Sequence, residues 1–318
     1  MSDLELQWVE GRLGGSADEP AGGRAGEVSA LLDAAAAADG VAPVSEQGLL
    51  ALRGDAPVRH LLALREGAVA GYASLTPAHD EHPAMAEAAV APAQRGRGIG
   101  RELVAAALAA GGAGARIWAH GKLPAAQAVA DRLDLVAARE LWQMRRSLAT
   151  PELPDVVIPD DLIVRTYAGP ADDAELLRVN NAAFDWHPEQ GGWTDGELAA
   201  RRAESWFDPA GVFLAFAADD PHRLLGFHWT KIHHDERPPA GEVYVVGIDP
   251  AAQGRGLGRL LTLIGLHHLR DAGLGEVLLY TEADNTAAVH TYNRLGFAPA
   301  HIDIAYTAPD GIGRPPGE

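Results

Sequence analysis

The chain has 318 residues, a formal net charge of −18, 47% hydrophobic residues and no cysteine. This length suits two domains of ordinary size. The negative charge argues against a nucleic-acid partner, because phosphate binding needs a basic face. The lack of cysteine excludes disulfides, thiolate zinc sites and cysteine nucleophiles.

No apolar run reaches the roughly 18 residues that a membrane span needs. The stretch from Met1 to Gly15 carries acidic residues and does not have the apolar core of a signal peptide. We therefore expect a cytoplasmic protein that acts on small molecules, with no membrane partner. We expect it to be a monomer.

The first half of the chain predicts a hairpin, a glycine-rich loop and a helix, in that order. The hairpin strands are His60–Leu64 and Ala70–Leu75, the loop is Arg95–Gly100, and the alanine-rich helix that follows runs to Ala110. A proline-rich segment comes next, with three prolines between Thr150 and Asp161. Because proline continues neither a helix nor a central strand, this segment predicts a linker.

We accordingly predict an N-terminal domain over residues 1–150, a linker over 151–160 and a C-terminal domain over 161–318. The C-terminal half shows clear strand and helix periodicity. The predicted strands are Leu162–Tyr167, Val212–Ala217, Leu224–Ile232, Glu242–Ile248, Glu276–Tyr280 and His301–Tyr306. The predicted helices begin at Pro170, Glu197, Leu257 and Asn285, with ends at Val179, Trp206, Ile264 and Leu295.

The two halves are copies of one unit. The segment Val90–Arg101 recurs as Ile248–Arg259 at an offset of 158 residues, which pairs Gly98 with Gly256. Further on, Arg132 pairs with Arg294 at an offset of 162. A repeat of this kind predicts two domains of the same fold.

Each copy places a glycine-rich loop between a strand and a helix. Glycines let the backbone approach a ligand, and the free N–H groups at a helix start attract phosphate oxygens. The loop does not fit the phosphate-binding pattern of nucleotide hydrolases, because no Gly-Lys-Ser/Thr follows. Its recurrence in both copies favours a phosphate-binding role over a simple turn.

Together with the segment Asn285–Phe297, these loops resemble the GCN5-related N-acetyltransferase (GNAT) superfamily. The resemblance implies two tandem α/β domains, each a mixed, mostly antiparallel twisted sheet flanked by helices. It implies acetyl-CoA as acetyl donor and no metal. In the second copy it implies that acetyl-CoA contacts Val246, Gly247, Ile248, Gln253, Gly254, Arg255, Gly256, Leu257, Gly258, Arg259, Asn285, Thr286, Ala287, Ala288, Val289 and His290. In the first copy the implied contacts are Ala88, Ala89, Val90, Arg95, Gly96, Arg97, Gly98, Ile99 and Gly100.

Acetyl transfer to an amine needs a base for the ammonium proton and a proton donor for the departing thiolate. Glu242 opens the strand expected along the acyl group and is our candidate base. The resemblance places Tyr292 as the acid, and its reference pKa near 10 suits that role. A backbone N–H near Val246 or Gly247 would polarise the carbonyl, and Gly247 would permit a bulge there.

Further segments resemble one tandem branch of the superfamily, whose acceptor is the cysteinyl amine of a cysteinyl-glucosaminyl-inositol. These segments are Asp39–Gln47, Asn180–Phe184, His187–Trp193, Phe227–Lys231 and Gly241–Val245. The implied acceptor contacts are Glu46, Glu189, Lys231, Glu242 and Tyr280. Because Glu46 belongs to the first copy, this set predicts a site between the domains.

The first copy keeps the loop but neither the acid nor the base, since we expect Pro83 at the position of Glu242. At the offset of 162, Tyr292 falls on Ala130 and Asn285 on Leu123. We therefore expect the first copy to bind acetyl-CoA without catalysis.

Two other functions stay open, namely a tandem GNAT enzyme for another small amine or a peptide N-terminus, and a CoA sensor without catalysis. The histidine pairs, among them His233 with His234 and His267 with His268, have no carboxylate or cysteine pattern that would complete a metal site.

Overall fold

The computed structural model describes residues 4–11, 13, 23–52, 58–79, 82–185, 190–234 and 237–309, except for the side chains of residues 46 and 47. The elements of the first repeat are β1 (Leu4–Glu10), α1 (Arg24–Asp39), α2 (Glu46–Ala51), β2 (Arg59–Arg65), β3 (Ala68–Thr76), β4 (Met85–Val90), α3 (Ile99–Gly111), β5 (Arg116–Ala119), α4 (Pro124–Arg132) and β6 (Val136–Ser147).

The second repeat follows the same order. Its elements are β7 (Leu162–Thr166), α5 (Asp173–Ala183), α6 (Asp195–Ala203), β8 (Val212–Ala217), β9 (Asp220–His233), β10 (Ala240–Ile248), α7 (Leu257–Asp271), β11 (Glu276–Glu282), α8 (Thr286–Arg294) and β12 (Ala298–Thr307). The predicted strands and helices of this half are confirmed, most of them within a few residues at each end.

Helix α6 both begins and ends earlier than predicted. It begins at Asp195 because the Thr194 hydroxyl accepts a hydrogen bond from the Glu197 amide while the Glu197 carboxylate accepts one from the Thr194 amide. This reciprocal pair is a capping box. The helix ends at Ala203, since Glu204 is already extended, and so it does not reach Trp206 as predicted.

The chain divides into two compact units. The first contains Met1–Leu141 and His301–Glu318, and the second contains Trp142–Ala300. The strand order is β1-β2-β3-β4-β5-β12 in the first unit, which contains β12 from His301 onward, and β6-β11-β10-β9-β8-β7 in the second, which contains β6 from Trp142 onward. The predicted fold class is therefore confirmed, with mixed and mostly antiparallel sheets that carry helices.

The division by contacts differs from the one that the prolines of residues 151–160 suggest. Strand β12, at the end of the chain, pairs antiparallel with β5 of the first unit through Ile304–Ala119 and Thr307–Arg116. Strand β6 lies beside β11 in the second unit, where Arg145 forms a 2.6 Å ion pair with Glu276. The last strand of each repeat thus completes the sheet of the other repeat, and a linear cut at the linker does not follow this exchange.

Each unit has its own apolar core between a sheet and its helices. In the first unit, Leu103 and Ala107 of α3 pack on Ala73, Leu75 and other buried residues of the sheet. In the second unit, Leu263, Leu266 and Leu269 of α7 pack on Val243 of β10 and on Val277 and Leu279 of β11. These leucines recur at three-residue spacing, which puts them on one side of the helix.

Candidate active site

Strands β10 and β11 run parallel but pair only over Gly241–Val277 and Glu242–Leu278. Both strands continue beyond these pairs, so the backbone of β10 after Glu242 has no β11 partner. Backbone groups without a partner need one from solvent or from a ligand. The opening between the two strands therefore offers hydrogen-bonding backbone to an extended ligand.

A β-bulge lies two residues after Glu242. The register of β10 against β9 shifts between Val243 and Val245, so the extra residue is Tyr244. The sequence-based prediction placed this bulge at Gly247, and that prediction is wrong. Gly247 is in regular pairing with Phe227, and a Cβ on it would meet the Phe227 ring at 2.5 Å. Its lack of a side chain serves close packing of neighbouring strands.

The glycine-rich loop leads from β10 into α7. Gly254 and Gly256 both have φ of 78°, a left-handed conformation that favours glycine, and Gly256 is the residue that precedes α7. A Cβ at either position would meet nothing within 4 Å. The loop is therefore open on its outer side, where the first N–H groups of α7 can bind phosphate oxygens.

The loop of the first unit has the same geometry. Gly96 and Gly98 have φ of 75° and 86°, and α3 begins directly after Gly98. A cavity of about 360 Å³ lies beside this loop. Its lining includes Ala88, Ala89, Val90, Arg95, Gly96, Gly98, Ile99 and Gly100, all of them predicted cofactor contacts.

One arginine of each loop is paired with a carboxylate. Arg95 forms a bidentate pair with Asp39 at 2.7 and 2.8 Å, and Arg255 contacts Asp161 at 2.6 Å. Both sides of the second pair are well exposed, at 43% and 65%. An exposed ion pair contributes little and can open for a phosphate. Arg97 is not among the residues that line the cavity.

Glu242, the candidate base, is buried and 7% exposed. Its Oε2 atom lies 2.7 Å from Nε2 of His233 at the end of β9. This partner was not predicted from the sequence. Strand alternation gives the signal that could have found it, since His233 lies two residues from Lys231 on β9 and so shares its face.

An aromatic cluster lies on the same face of the sheet. Lys231 is directly opposite Glu242 across β9 and β10. Its Nζ atom lies 4.7 Å from the ring centre of Trp206 and 5.8 Å from that of Tyr244, both cation–π distances. The rings of Trp206 and Tyr244 are 5.0 Å apart. A polar acceptor with an apolar side could rest on this surface.

Tyr292, the candidate acid, lies near the end of α8. Its ring packs edge-on against Phe297 at 5.7 Å, and it borders the core that contains Val243 and Val246 of β10. Burial raises the pKa of Tyr292 to about 12. The phenol is therefore protonated at neutral pH and available as a hydrogen-bond donor.

Two other predicted residues already have protein partners. The Asn285 side chain accepts a hydrogen bond from the Ala288 amide and so caps α8. The Tyr280 hydroxyl accepts a hydrogen bond from Gln143 of β6 at 2.7 Å. Beyond Asn285, the residues Thr286, Ala287 and His290 of α8 are exposed.

The first unit differs from the second at the position of the candidate base. Met85 is opposite Arg116 in the parallel pair β4–β5, and Glu242 is opposite Leu278 in β10–β11. Arg116 and Leu278 are related by the same offset of 162 as α4 and α8. Met85, and not Pro83 as predicted, therefore lies at the position of Glu242. In the first unit the parallel pairing also extends further, through Glu87 and Trp118.

The nearest carboxylate on β4 is Glu87, and it is engaged in structural contacts. It accepts hydrogen bonds from the Ser45 amide at 2.8 Å and the Ser45 hydroxyl at 3.2 Å. His120 lies between Glu87 and Asp303, at 3.0 and 3.3 Å. Burial alone would lower the pKa of His120, but its bonds to Asp303 and Glu87 raise it to about 9.

Two predicted acceptor contacts lie outside what the structure describes, namely Glu189 and the side chain of Glu46. The backbone of Glu46 begins α2. Among the described residues, no group of three histidine, aspartate, glutamate or cysteine side chains could hold a metal ion. Every helix of the described part of the chain is too short or too polar to cross a bilayer.

The family model "Acetyltransferase (GNAT) family" matches the chain twice, over residues 30–133 and 179–297. Among curated proteins, a mycothiol acetyltransferase of Nocardia farcinica is 70% identical over 308 residues, which is 97% of this chain and 99% of the relative. A mycothiol acetyltransferase of Rhodococcus jostii is 63% identical and covers 90% of this chain and 95% of its own length.

Two solved structures are similar over nearly the whole chain. A GCN5-related N-acetyltransferase from Sphaerobacter thermophilus superposes with a TM-score of 0.65 at 21% identity and covers 94% of each chain. A tandem GNAT protein from the clavulanic acid biosynthesis pathway has a TM-score of 0.63 at 20% identity, with 98% of this chain and 100% of its own covered. At these identities the likeness concerns the tandem fold alone.

Proposed function

The chain belongs to the acetyltransferase (GNAT) family, and we propose that it acetylates the cysteinyl amine of cysteinyl-glucosaminyl-inositol, the last step of mycothiol biosynthesis. The observation that carries this proposal is the 70% identity, over 97% of the chain, to a mycothiol acetyltransferase. The enzyme is an acyltransferase that takes its acetyl group from acetyl-CoA. We expect it in the cytoplasm as a monomer.

Acetyl-CoA supplies an activated thioester. In the second unit, the residues that would hold it are the open loop Gln253–Arg259, the free edge of β10 at Val246–Ile248 and the start of α8. The fit rests on the left-handed glycines Gly254 and Gly256, whose outer sides are clear of other atoms. The start of α7 adds a positive end of the helix dipole.

Glu242 would accept the proton of the acceptor ammonium, directly or through a water molecule. Its position supports this role, because it lies where β10 and β11 separate and two residues before the bulge at Tyr244. The unpaired edge of β10 would then donate an N–H group to the acyl oxygen, as an oxyanion-stabilising donor.

Tyr292 would donate a hydrogen bond to the departing sulfur. With a pKa near 12 it stays protonated, whereas an ordinary thiol has a reference pKa of about 8.5. A phenol that weak would hold the developing thiolate by a hydrogen bond until the proton is shared or supplied by solvent. Only the second unit has this donor, because the first has Ala130 at the equivalent position.

Lys231, Trp206 and Tyr244 would form the wall for the acceptor. The acceptor is rich in hydroxyl groups, which an ammonium can donate to, and its ring faces can rest on aromatic side chains. Glu46, Glu189 and Tyr280 complete the proposed contact set. The first unit would bind a second acetyl-CoA in its cavity without turning it over.

The test is release of CoA from acetyl-CoA in the presence of the cysteinyl pseudodisaccharide, with the product identified by mass. We expect N-acetylation of that amine by the wild-type protein and loss of turnover in Glu242→Gln. Turnover of an aminoglycoside or a peptide N-terminus in place of this amine would contradict the acceptor assignment. Binding of acetyl-CoA with no turnover of any amine would support a sensor instead.

A further inference from the structure

The carboxylate of Glu242 has a second group built against it. His233 ends β9, and its Nε2 atom is 2.7 Å from Oε2 of Glu242. Both side chains are largely covered, with 21% of His233 and 10% of Glu242 exposed. A hydrogen bond in such surroundings is stronger than one in water, and it fixes the rotamers of both partners.

The contact leaves the two oxygens of Glu242 in different situations. While the carboxylate is ionised, it can only accept, so the bond at Oε2 requires a proton on Nε2 of His233. Among the contacts of the described residues, Oε1 of Glu242 has no hydrogen-bond partner. One oxygen is therefore held and the other is available to an acceptor amine.

Other charged or titratable groups share this face of the sheet. On β9, Lys231 lies opposite Glu242, but its ammonium rests over Trp206 and Tyr244. On β11, Tyr280 and Glu282 follow Leu278, the partner of Glu242, at alternate positions. Of the groups on this face, His233 is the one that forms a hydrogen bond with Glu242.

Resting on the function proposed above, we infer that His233 is a positioning residue for the base. Its Nε2–H holds the Glu242 carboxylate in one rotamer and leaves Oε1 to accept the proton of the acceptor amine. No bond to substrate is made by His233 itself. The proton leaves the ammonium nitrogen, forms a bond to Oε1 and passes to solvent after the product departs.

A donor to the ionised form favours that form, so its loss makes the carboxylate easier to protonate. His233→Leu removes the donor, while His233→Gln places an amide N–H near the position of Nε2 and cannot titrate. His234→Leu is the matched control, because His234 is the exposed neighbour in the chain. All four proteins are compared by their pH profiles of kcat and kcat/KM and by thermal melting.

We expect the acid limb of His233→Leu to move up by about one pH unit, with about a tenfold lower kcat below that limb and an unchanged KM for acetyl-CoA. His233→Gln should restore the limb to within a few tenths of a unit, and His234→Leu should match the wild type. The acceptor amine titrates identically in all four proteins, so any difference belongs to the enzyme.

An acid limb in His233→Leu that coincides with the wild-type limb would overturn the inference. A shifted limb in His233→Gln equal to that of His233→Leu would also overturn it, because the amide keeps the donor. The comparison can be made with whichever amine the wild-type enzyme acetylates. Its failure is therefore distinct from a failure of the acceptor assignment.

Discussion

Ala130 of α4 and Tyr292 of α8 lie at the same position in two helices of nine residues each. Ala130 is buried and lines the cavity of the first unit, whereas Tyr292 borders the core beside β10. The second unit therefore has a phenol at a position where the first unit has a small side chain beside a cavity. This relationship yields the first two predictions.

Tyr292→Phe should lower kcat by about 100-fold, since removing one hydrogen-bond donor to developing negative charge costs about that much or more, and should leave the KM for acetyl-CoA nearly unchanged. The ring and its contact with Phe297 are kept, so folding should be unaffected. Steady-state release of CoA measures the effect. Tyr306→Phe, the same change at a partly buried tyrosine of the first unit, should keep wild-type turnover. A wild-type kcat in Tyr292→Phe would remove the acid assignment.

Ala130→Trp should fill the cavity of about 360 Å³ beside the first glycine-rich loop. Because the bulky side chain occupies the space proposed for the ligand, titration calorimetry should count one acetyl-CoA per chain in place of two. Turnover in the second unit should not change. Ala109→Trp, on the exposed side of α3, should keep both sites. Two sites in Ala130→Trp, or one site in the wild type, would contradict the prediction.

Lys231→Met should raise the KM for the acceptor by about tenfold, because a hydrogen bond from a charged group contributes roughly 1.5–3 kcal/mol. The methionine keeps an apolar stem over Trp206 and Tyr244, so the wall should keep its shape. The KM for acetyl-CoA should not change, and the two constants are measured in one set of initial rates. Lys122→Met, at the 3.5 Å ion pair with Glu140 in the first unit, is the control. Equal changes in both KM values would point to a structural effect.

His228 should make the protein less stable in acid. Burial lowers the pKa of His228 to about 4, and its Nδ1 lies 2.8 Å from the Leu261 carbonyl oxygen. The unfolded chain, with a histidine pKa of about 6.5, binds one more proton between these two values. Stability from this group is therefore complete above pH 6.5 and is lost as the pH falls through about 4.

Because of His228, the free energy of unfolding should fall by about 3 kcal/mol between pH 6.5 and pH 4. Urea unfolding at a series of pH values should give a shallower acid slope for His228→Asn than for the wild type, whatever the starting stability of the variant. His222→Asn, at an exposed histidine of β9, should keep the wild-type slope. Parallel slopes for wild type and His228→Asn would refute this assignment.

The sequence predicted the repeat, the order of strands and helices and both glycine-rich loops. These features depend on local patterns, such as leucines at helical spacing in α7 and glycines that adopt positive φ at Gly254 and Gly256. The motif residues of the loops and of Asn285–Phe297 also indicate the GNAT family by themselves. Such features depend on residues close together in the sequence, so they can be predicted from the sequence alone.

What only the tertiary structure decided depends on pairing between distant segments. The sequence of the linker does not predict the exchange of β6 and β12 between the repeats. The partner of a strand depends on which sheet edge is free in the folded protein, and that edge is formed by distant parts of the chain. The bulge lies at Tyr244 and not at Gly247, since the register of β9 against β10 is set by packing on both faces.

The same holds for the groups around the proposed base. The contact of His233 with Glu242 spans a hairpin whose register the residue types alone do not specify. The sequence therefore indicated which residues are candidates for the chemistry, and that only the second copy has a tyrosine at the proposed acid position. The folded chain determined which neighbours hold them, because burial and strand register act across the sheet and not along the sequence.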